Sequence, residues 1–199
     1  MRDDLKDMFA IFESRGFIVR YFDTSARARD FICDELKDLD VGIGGSVTVE
    51  QMGLFEALKN NGNAYWHFFG DSSAIEKSSM AQAYISGVNA ISKTGEIVNI
   101  DGRGNRVSSC MFGVNRKKLV YLCGVNKVCD DLSQAVWRAK NIAAPKNAQR
   151  LHRKTPCAVK ADKCYDCRSP ERICNAMVIQ THPTSAQTYI VIVGEDLGY

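Results

Sequence analysis

The chain contains 199 residues, of which 45% are hydrophobic and 25% are charged, and these proportions exclude a disordered chain, a collagen-like repeat and a pure coiled coil. Its net charge of +3, from 26 basic and 23 acidic residues, is too balanced for a general nucleic-acid binder. The longest apolar run, 119–125, is far shorter than the roughly 20 residues of a membrane span, so we expect a cytoplasmic protein without one.

The first half of the chain alternates helical and β-forming patterns. Apolar residues at helical spacing predict a helix over 5–15, which Gly16 ends. A β-branched and aromatic run predicts a strand over 17–22, and Ser25 is expected to cap a helix that reaches residue 36. The patterns then predict a strand at 41–44, one helix over 48–60, a strand over 64–69 and a helix over 72–82.

The second half continues the alternation. Strands over 84–91 and 96–100 are expected to pair through the turn 93–95, and 119–125 indicates a strand buried on both faces. A helix over 132–143 should stop before Pro145, and 189–193 is strongly β-forming. Residues 154–175 are polar and cysteine-rich and predict a loop before the final strands. The whole chain therefore predicts one α/β domain, with helices on both faces of a sheet.

Four cysteines in this loop, Cys157, Cys164, Cys167 and Cys174, follow the spacing Cys-x6-Cys-x2-Cys-x6-Cys. A Cys-x2-Cys pair can present two thiolates from one turn, and the flanking cysteines can complete a tetrahedral site. An irregular loop of this kind favours a [4Fe–4S] cluster. Zinc and structural cysteines, either reduced or disulfide-linked, remain open alternatives.

The surroundings of these cysteines suit a negatively charged centre, because residues 146–174 contain eight basic and three acidic side chains. The basic residues closest to the cysteines are Lys160, Lys163, Arg168 and Arg172. The remaining cysteines lie on apolar segments and are expected to be small buried hydrophobes. They are Cys33, Cys110, Cys123 and Cys129.

Glycine-rich or polar loops follow three of the predicted strands, at 42–48, 101–106 and 124–127. Because open α/β sheets bind ligands at the carboxyl ends of their strands, these loops would together form a crevice for a small anionic ligand. Each loop taken alone also fits a turn that binds nothing. The candidate ligand-binding residues are Gly44, Gly45, Ser46, Thr48, Asn89, Gly104, Asn105, Arg106, Gly124, Asn126 and Lys127.

Glu50 adjoins the first of these loops and is the candidate catalytic residue, as a base or a nucleophile. A glutamate in the first turn of a helix also complements the helix dipole, and this alternative stays open. His67 lies among aromatic residues in a predicted strand and is expected to be packed rather than functional.

Several of these segments together resemble the LUD (lactate-utilisation) domain family. They are Gly-Gly-Ser-Val-Thr at 44–48, Gly-Val-Asn-Ala-Ile-Ser at 87–92, Gly-Glu-Ile-Val-Asn at 95–99, Asp-Gly-Arg-Gly-Asn-Arg-Val at 101–107, Gly-Val-Asn-Lys-Val at 124–128, Arg-Ala-Lys-Asn-Ile-Ala-Ala-Pro-Lys-Asn at 138–147 and Gly-Glu-Asp-Leu-Gly-Tyr at 194–199. The cysteine loop is similar to that of a short, cysteine-bearing branch of the family.

The resemblance implies a three-layer, Rossmann-like sheet related to the NagB/RpiA/CoA-transferase group. It also implies a link to the oxidation of L-lactate to pyruvate, in which LUD proteins work as parts of iron–sulfur complexes. The chain lacks the ferredoxin-type Cys-x2-Cys-x2-Cys-x3-Cys-Pro module of the larger lactate-utilisation subunits. Related folds host isomerases, transferases and ligases, so the family alone does not fix a reaction.

Three functions are therefore carried forward. The first is an iron–sulfur protein that transfers electrons to a redox partner protein or senses redox state, in lactate or related organic-acid metabolism. The second is an enzyme that acts on a small carboxylate or sugar phosphate. The third is a non-catalytic module in which zinc fixes the cysteine loop for a protein partner. Trp66 and Trp137 are the candidates for a homodimer interface.

Overall fold

A six-stranded parallel sheet forms the centre of the fold, in a computed structural model that describes residues 3–62, 64–69, 73–184 and 186–199. Its strands are β1 (Ile18–Phe22), β2 (Val41–Ile43), β3 (Ala64–Trp66), β4 (Ala83–Gly87), β7 (Lys118–Gly124) and β10 (Gln187–Val193). Their order across the sheet is β1-β10-β7-β4-β2-β3, and every neighbouring pair is parallel. The carboxyl ends of all six strands consequently meet at one edge.

A second, four-stranded sheet lies beside the first. The sequence patterns predicted the strand pair around the turn 93–95, which lies in this sheet, but not that it belongs to a separate sheet. Its strands are β5 (Ala90–Ser92), β6 (Ile97–Asp101), β8 (Val128–Cys129) and β9 (Ala176–Gln180). They lie in the order β8-β5-β6-β9, and β6 runs antiparallel to both of its neighbours.

Nine α-helices connect the strands within the described part of the chain. They are α1 (Lys6–Ser14), α2 (Ser25–Leu36), α3 (Val47–Gln51), α4 (Leu54–Asn61), α5 (Ala74–Met80), α6 (Asn105–Met111), α7 (Leu132–Arg138), α8 (Ala144–Arg150) and α9 (Pro156–Lys160). Short 3-10 turns cover Asp3–Leu5 and Val125–Lys127, and a π-helical turn covers Ala139–Ala143. None of the described helices is long and apolar enough to cross a membrane.

Both faces of the central sheet are covered, as the α/β prediction required. Strand β7 is buried over almost its whole length, and its side chains alternate between two apolar clusters. Val120 and Leu122 pack in the cluster formed with α2, α3 and α4, whereas Leu119, Tyr121 and Cys123 pack in the cluster formed with α1 and α6. The predicted three-layer architecture is therefore confirmed.

The predicted strand 84–91 is wrong as a single element, because the chain changes sheets within it. Strand β4 ends at Gly87 and strand β5 begins at Ala90. Between them the Arg106 guanidinium donates to the Gly87 carbonyl (2.9 Å) and to Asn89 Oδ1 (3.1 Å). These polar contacts stabilise the bend, which hydrophobic periodicity alone does not reveal.

Two helix predictions also need correction. The expected helix 48–60 is divided into α3 and α4 by Gly53, whose φ of +59° interrupts the helical backbone, and Ser46 caps α3. The helix that was expected to stop before Pro145 continues through the π turn to Arg150. Pro145 is tolerated because it lies in the first turn of α8, where a missing backbone N–H costs least.

The exposure of the two tryptophans and the burial of four cysteines test further predictions from the sequence. Trp66 is 1% exposed and lies in the core, so it cannot form a dimer interface, whereas Trp137 is 59% exposed. The prediction of buried cysteines is confirmed for Cys33, Cys110, Cys123 and Cys129.

Candidate functional site

A cavity of about 320 Å³ opens at the carboxyl ends of the parallel strands. Loops that follow β2, β3, β4, β7 and β10 contribute to its walls, and β6, α6 and α8 close the other side. Open α/β sheets bind their ligands at this edge. The cavity is large enough for a small metabolite, at the lower end of the size range of ligand pockets.

The structure brings together most of the residues predicted to bind a ligand. Seven of them line the cavity, namely Gly45, Ser46, Thr48, Asn89, Asn105, Arg106 and Lys127. The other four, Gly44, Gly104, Gly124 and Asn126, are not among the lining residues. Whether the lining residues contact a ligand stays a prediction.

Gly44 and Asn126 nevertheless position parts of the cavity wall. A Cβ atom on Gly44 would come within 2.9 Å of Arg106 Cγ, so glycine leaves room for the arginine side chain. The Asn126 side chain accepts from Leu197 N (3.2 Å) and donates to the Gly198 carbonyl (3.4 Å), which holds the segment after β10 against the cavity.

Among the described residues that line the cavity, Asp101 has the one carboxylate side chain, and both of its oxygens accept hydrogen bonds from backbone N–H groups. Its Oδ1 accepts from the N–H groups of Arg103 (3.2 Å) and Gly104 (3.1 Å). Its Oδ2 accepts from those of Arg106 (2.9 Å) and Val107 (3.0 Å). Four N–H donors at the start of α6 therefore stabilise this carboxylate, and it forms no ion pair with a basic side chain of the cavity.

Arg106 joins the two sheets through neutral acceptors only. Beyond its bonds to Gly87 and Asn89, the guanidinium donates to Asn99 Oδ1 (2.6 Å), the Ile100 carbonyl (2.6 Å) and Ser86 Oγ (3.4 Å). Because the guanidinium forms no ion pair with a carboxylate of the described residues, Arg106 contributes a positive charge to the cavity wall.

Lys127 is the most deeply buried cation of the site, with 3% of the residue exposed. Its Nζ donates to Thr48 Oγ1 (2.8 Å), and that hydroxyl donates to the Leu197 carbonyl (3.3 Å). Burial is the main reason why the pKa of Lys127 is lowered to about 8; the Cys123 side chain opposes this shift, and the positive charges of Arg138 and Arg106 add to it.

The charge of the cavity wall is strongly unbalanced. The described lining residues include one acidic residue, Asp101, and five basic residues, namely Arg103, Arg106, Lys127, Arg150 and Arg153. Two buried polar atoms on the wall, Arg153 Nε and the Tyr199 hydroxyl oxygen, have no hydrogen-bond partner in the described part of the chain. Unpaired buried groups of this kind are costly, and a bound ligand would satisfy them.

One wall of the cavity is aromatic. Phe68 stacks on Trp66 with 4.8 Å between the ring centroids, and the Arg150 guanidinium lies 5.2 Å from the Phe68 ring centroid. His67 lies beside them, and burial, followed by the charges of Arg103 and Arg150, lowers its pKa. The His67 side chain is therefore expected to be a neutral imidazole at physiological pH.

Sequence reasoning missed several residues of the site. His67 was expected inside a strand, but β3 ends at Trp66 and the histidine turns into the cavity. Arg150 and Arg153 belong to the basic stretch 146–174, whose charge was a usable signal. Tyr199 lies outside that basic stretch, so the charge pattern did not indicate it. Glu50, the candidate catalytic residue, is exposed and does not line the cavity.

The four cysteines of the loop are half-buried free thiols. The Cys164 backbone N–H donates to Asn141 Oδ1 (3.1 Å), and Cys157 Sγ lies 3.3 Å from Thr155 Oγ1. Arg172 donates to the carbonyls of Cys167 (3.0 Å) and Cys174 (3.2 Å), and the nearby Cys174 side chain raises the pKa of that arginine.

These thiols do not form a metal site as the loop is arranged here. Across the described ranges, no three His, Cys, Asp or Glu side chains are grouped closely enough to hold a metal ion. The [4Fe–4S] cluster and its zinc alternative therefore stay predictions from the spacing, and either centre would require the loop to close further.

Comparison with known proteins gives matches at the level of fold and family. A DUF162 family protein from Deinococcus radiodurans aligns with a TM-score of 0.56 and 11% identity, over 96% of this chain and 98% of that one. The eIF2B beta structure from Chaetomium thermophilum aligns with a TM-score of only 0.32 and 18% identity, over 66% of this chain and 44% of that one.

No curated protein matches the sequence at a significant level. The sequence profile of the LUD domain, in contrast, matches residues 5–193, nearly the whole length. The structural similarity to the DUF162 protein agrees with that match in fold. The chain therefore belongs to the LUD domain family, a group related to lactate utilisation.

Proposed function

We propose that the chain binds a small anionic metabolite, an organic acid or a phosphate ester, in the cavity at the carboxyl edge of the central sheet. The observation that carries the proposal is the five-to-one excess of basic over acidic side chains among the described residues that line the cavity. A domain related to lactate utilisation is a reasonable setting for such a ligand.

The energetics of burial support this proposal. Withdrawing a cation from water is expensive unless a negative charge or several hydrogen bonds compensate it. Lys127 has one hydroxyl as its acceptor, and Arg106 has neutral acceptors alone. An anion bound between them would gain charge-assisted hydrogen bonds and would relieve the repulsion among the cations.

The ligand proposed here is small and has an apolar part. Phe68 and Ile75 line the wall, so a purely inorganic ion would leave apolar surface in contact with water. A short carboxylic acid or a sugar phosphate meets both requirements, with its anionic end toward the basic side chains of the wall and its remaining atoms toward the aromatic wall.

Isothermal titration calorimetry on the full chain tests the proposal, with L-lactate, pyruvate, ribose 5-phosphate and inorganic phosphate as the titrants. We expect saturable binding of at least one of them that weakens as salt is added. The Arg150→Gln variant should bind about ten-fold more weakly, because a charge-assisted hydrogen bond contributes about 1.5 kcal/mol or more.

The Arg27→Gln variant is the matched control. It removes the same charge from an exposed position on α2, away from the cavity, and should bind as the unchanged chain does. If none of the four anions binds, or if both variants weaken binding equally, the proposal is wrong.

Binding of an iron–sulfur cluster, with a role in electron transfer or redox sensing, is the second candidate function. It rests on the four-cysteine spacing and on Arg172, which contacts the backbone of both Cys167 and Cys174 and would offset thiolate charge. Zinc on the same residues would instead support an interaction module.

Anaerobic purification followed by iron, sulfide and zinc determination separates these possibilities. Iron with a matching amount of sulfide supports the redox role, zinc alone supports the interaction module, and neither metal refutes both. The Cys164→Ser variant should lose the metal and make the loop 154–175 sensitive to protease, while Cys33→Ser, at a buried position on α2, should keep the metal.

A further inference from the structure

We propose that Lys127 forms a reversible imine with the carbonyl carbon of a small anionic aldehyde or ketone held in the cavity. This inference rests on the anion binding proposed above and adds the identity of the reactive group and the class of ligand. It depends on the position of the amine, on its hydrogen bonds and on the charges that surround it.

The position of Lys127 brings a nucleophile to the ligand. The residue ends the short turn Val125–Lys127 directly after β7, so the central strand of the sheet presents its side chain at the edge where the cavity opens. It lines the cavity together with Arg106, and its ammonium or amine group is withdrawn from bulk water. The positive charge of Arg106 would attract the anionic end of the ligand and leave the carbonyl within reach of Nζ.

The hydrogen bonds around Lys127 leave its nitrogen lone pair available. Thr48 Oγ1 gives its own proton to the Leu197 carbonyl, so toward Lys127 this hydroxyl acts as the acceptor. A neutral amine therefore satisfies Thr48 by donating one N–H and needs no donor in return. Its lone pair remains free to attack a carbonyl carbon.

Burial, together with the cations Arg138 and Arg106 and against the opposing effect of Cys123, makes the neutral amine easier to form than at an exposed lysine. Arg106 and Arg138 are the cations that face Lys127, and no carboxylate of the described chain forms an ion pair with it. Arg138 is itself anchored by the carbonyls of Asn126 (3.1 Å) and Asn89 (2.5 Å), so it stays close. A desolvated lysine beside other cations is the usual arrangement for a nucleophilic amine.

The chemical step balances without any further reactant. The Nζ lone pair forms a bond to the carbonyl carbon while the π electrons move to oxygen, which takes up the proton released by nitrogen. That oxygen then leaves as water, taking the second proton from nitrogen, while the nitrogen lone pair forms the carbon–nitrogen double bond. Hydrolysis returns the free lysine and the carbonyl compound, so an oxidant or a reductant is not needed.

Trapping by borohydride tests the proposal on the full chain. Glyoxylate is the probe, because it is the smallest carboxylate that carries an aldehyde, and propionaldehyde is its uncharged counterpart. Borohydride reduces an imine to a stable secondary amine, which intact-mass and peptide-mass measurements detect. We expect glyoxylate to modify Lys127 at least ten-fold faster than any exposed lysine, and inorganic phosphate to suppress this modification by competition.

Two variants complete the design. Lys127→Arg keeps the charge and should abolish the trapped adduct, whereas Lys146→Arg, at an exposed lysine beside the cavity, should leave it unchanged. A calorimetric titration with glyoxylate accompanies each trapping experiment. If the Lys127→Arg variant fails to fold, the site selectivity in the unchanged chain still decides the question.

The outcomes separate this inference from the proposed function. Selective modification of Lys127 by glyoxylate, but not by propionaldehyde, supports the imine. Binding of glyoxylate by calorimetry without an adduct, or with equal labelling of all lysines, overturns the imine and leaves anion binding intact. Absence of binding by every anion overturns both.

Discussion

The cavity and the cysteine loop are both rich in polar and basic residues, yet they differ in how they are held. Arg106 and Asp101 are each fixed by four or more hydrogen bonds that join separate strands and helices. In the loop, Cys164 and Arg172 are held by a few contacts with backbone or amide groups. The strands of the fold build the cavity, whereas the loop, which the sequence predicted to be irregular, is held by helix α9 and by local contacts such as those from Lys154 N to Glu171 Oε2 (2.9 Å) and from Ser169 Oγ to the Lys154 carbonyl (2.9 Å).

The difference shows which kind of site a sequence motif can predict. A site at the edge of a parallel sheet is assembled from every strand, so its geometry is fixed once the core has formed. A four-cysteine loop contains few apolar side chains to offset the entropy of ordering it, and it depends on its ligand for that order. We therefore expect substitutions in the cavity to change stability and binding together, and those in the loop to change mainly metal content.

The largest effect on stability should come from Arg106→Ala. The change leaves five hydrogen-bond acceptors around the join of the two sheets without their donor, so we expect a loss of about 3 kcal/mol or more in the free energy of unfolding. Urea denaturation measures it. Arg103→Ala, at an exposed position on the same loop, should stay within about 0.5 kcal/mol of the unchanged chain. Equal losses in the two variants would contradict the role given to Arg106.

Lys127→Met should stabilise the ligand-free protein. The pKa of the lysine falls from 10.5 to about 8 on folding, which corresponds to a cost of about 3 kcal/mol at neutral pH. The loss of the bond to Thr48 offsets about 1 kcal/mol of the gain. We therefore expect a net gain of about 2 kcal/mol in the free energy of unfolding at pH 7.

The pH dependence gives this prediction a second test. Between pH 8 and 10.5 the unfolded chain binds more protons at this lysine than the folded chain does, so the lysine's contribution to stability rises with pH. The advantage of Lys127→Met should accordingly shrink across that range. The groups that face Lys127, namely Arg106, Arg138 and Cys123, are present in both proteins and cancel in the difference. If Lys127→Met is less stable than the unchanged chain at pH 7, Lys127 is not an uncompensated buried cation.

The smallest expected effect belongs to Tyr199→Phe. The hydroxyl is buried without a hydrogen-bond partner among the described residues, so its removal should change the unfolding free energy by less than about 0.5 kcal/mol, or raise it slightly. The affinity for the preferred anion should fall about three-fold if the hydroxyl contacts the ligand. Thermal denaturation with and without the anion measures both quantities. A large loss of stability without ligand would show that a structural partner exists.

Local patterns predicted the parts of the fold that depend on local forces. Strand β7 and helices α1 and α2 follow from the period of their apolar residues, and the loops at 44–48 and 124–127 follow from glycines beside strands. The second sheet could not be predicted in this way, because the break between β4 and β5 depends on Arg106, which is distant in sequence.

The cavity was predicted only in part for the same reason. Gly45, Ser46 and Lys127 lie on glycine-rich or polar loops that a sequence displays openly. His67 and Tyr199 come from separate segments and meet those loops only after the sheet has formed. Local sequence patterns do not reveal which distant segments come into contact in the folded protein.

A crystal structure grown with saturating glyoxylate or phosphate tests the central claim most directly. The account predicts an anion in the cavity, within hydrogen-bond distance of Lys127 Nζ or Arg153 Nε and beside the Phe68 wall. Density for the anion elsewhere on the surface, with ordered water alone between these cations, would contradict it.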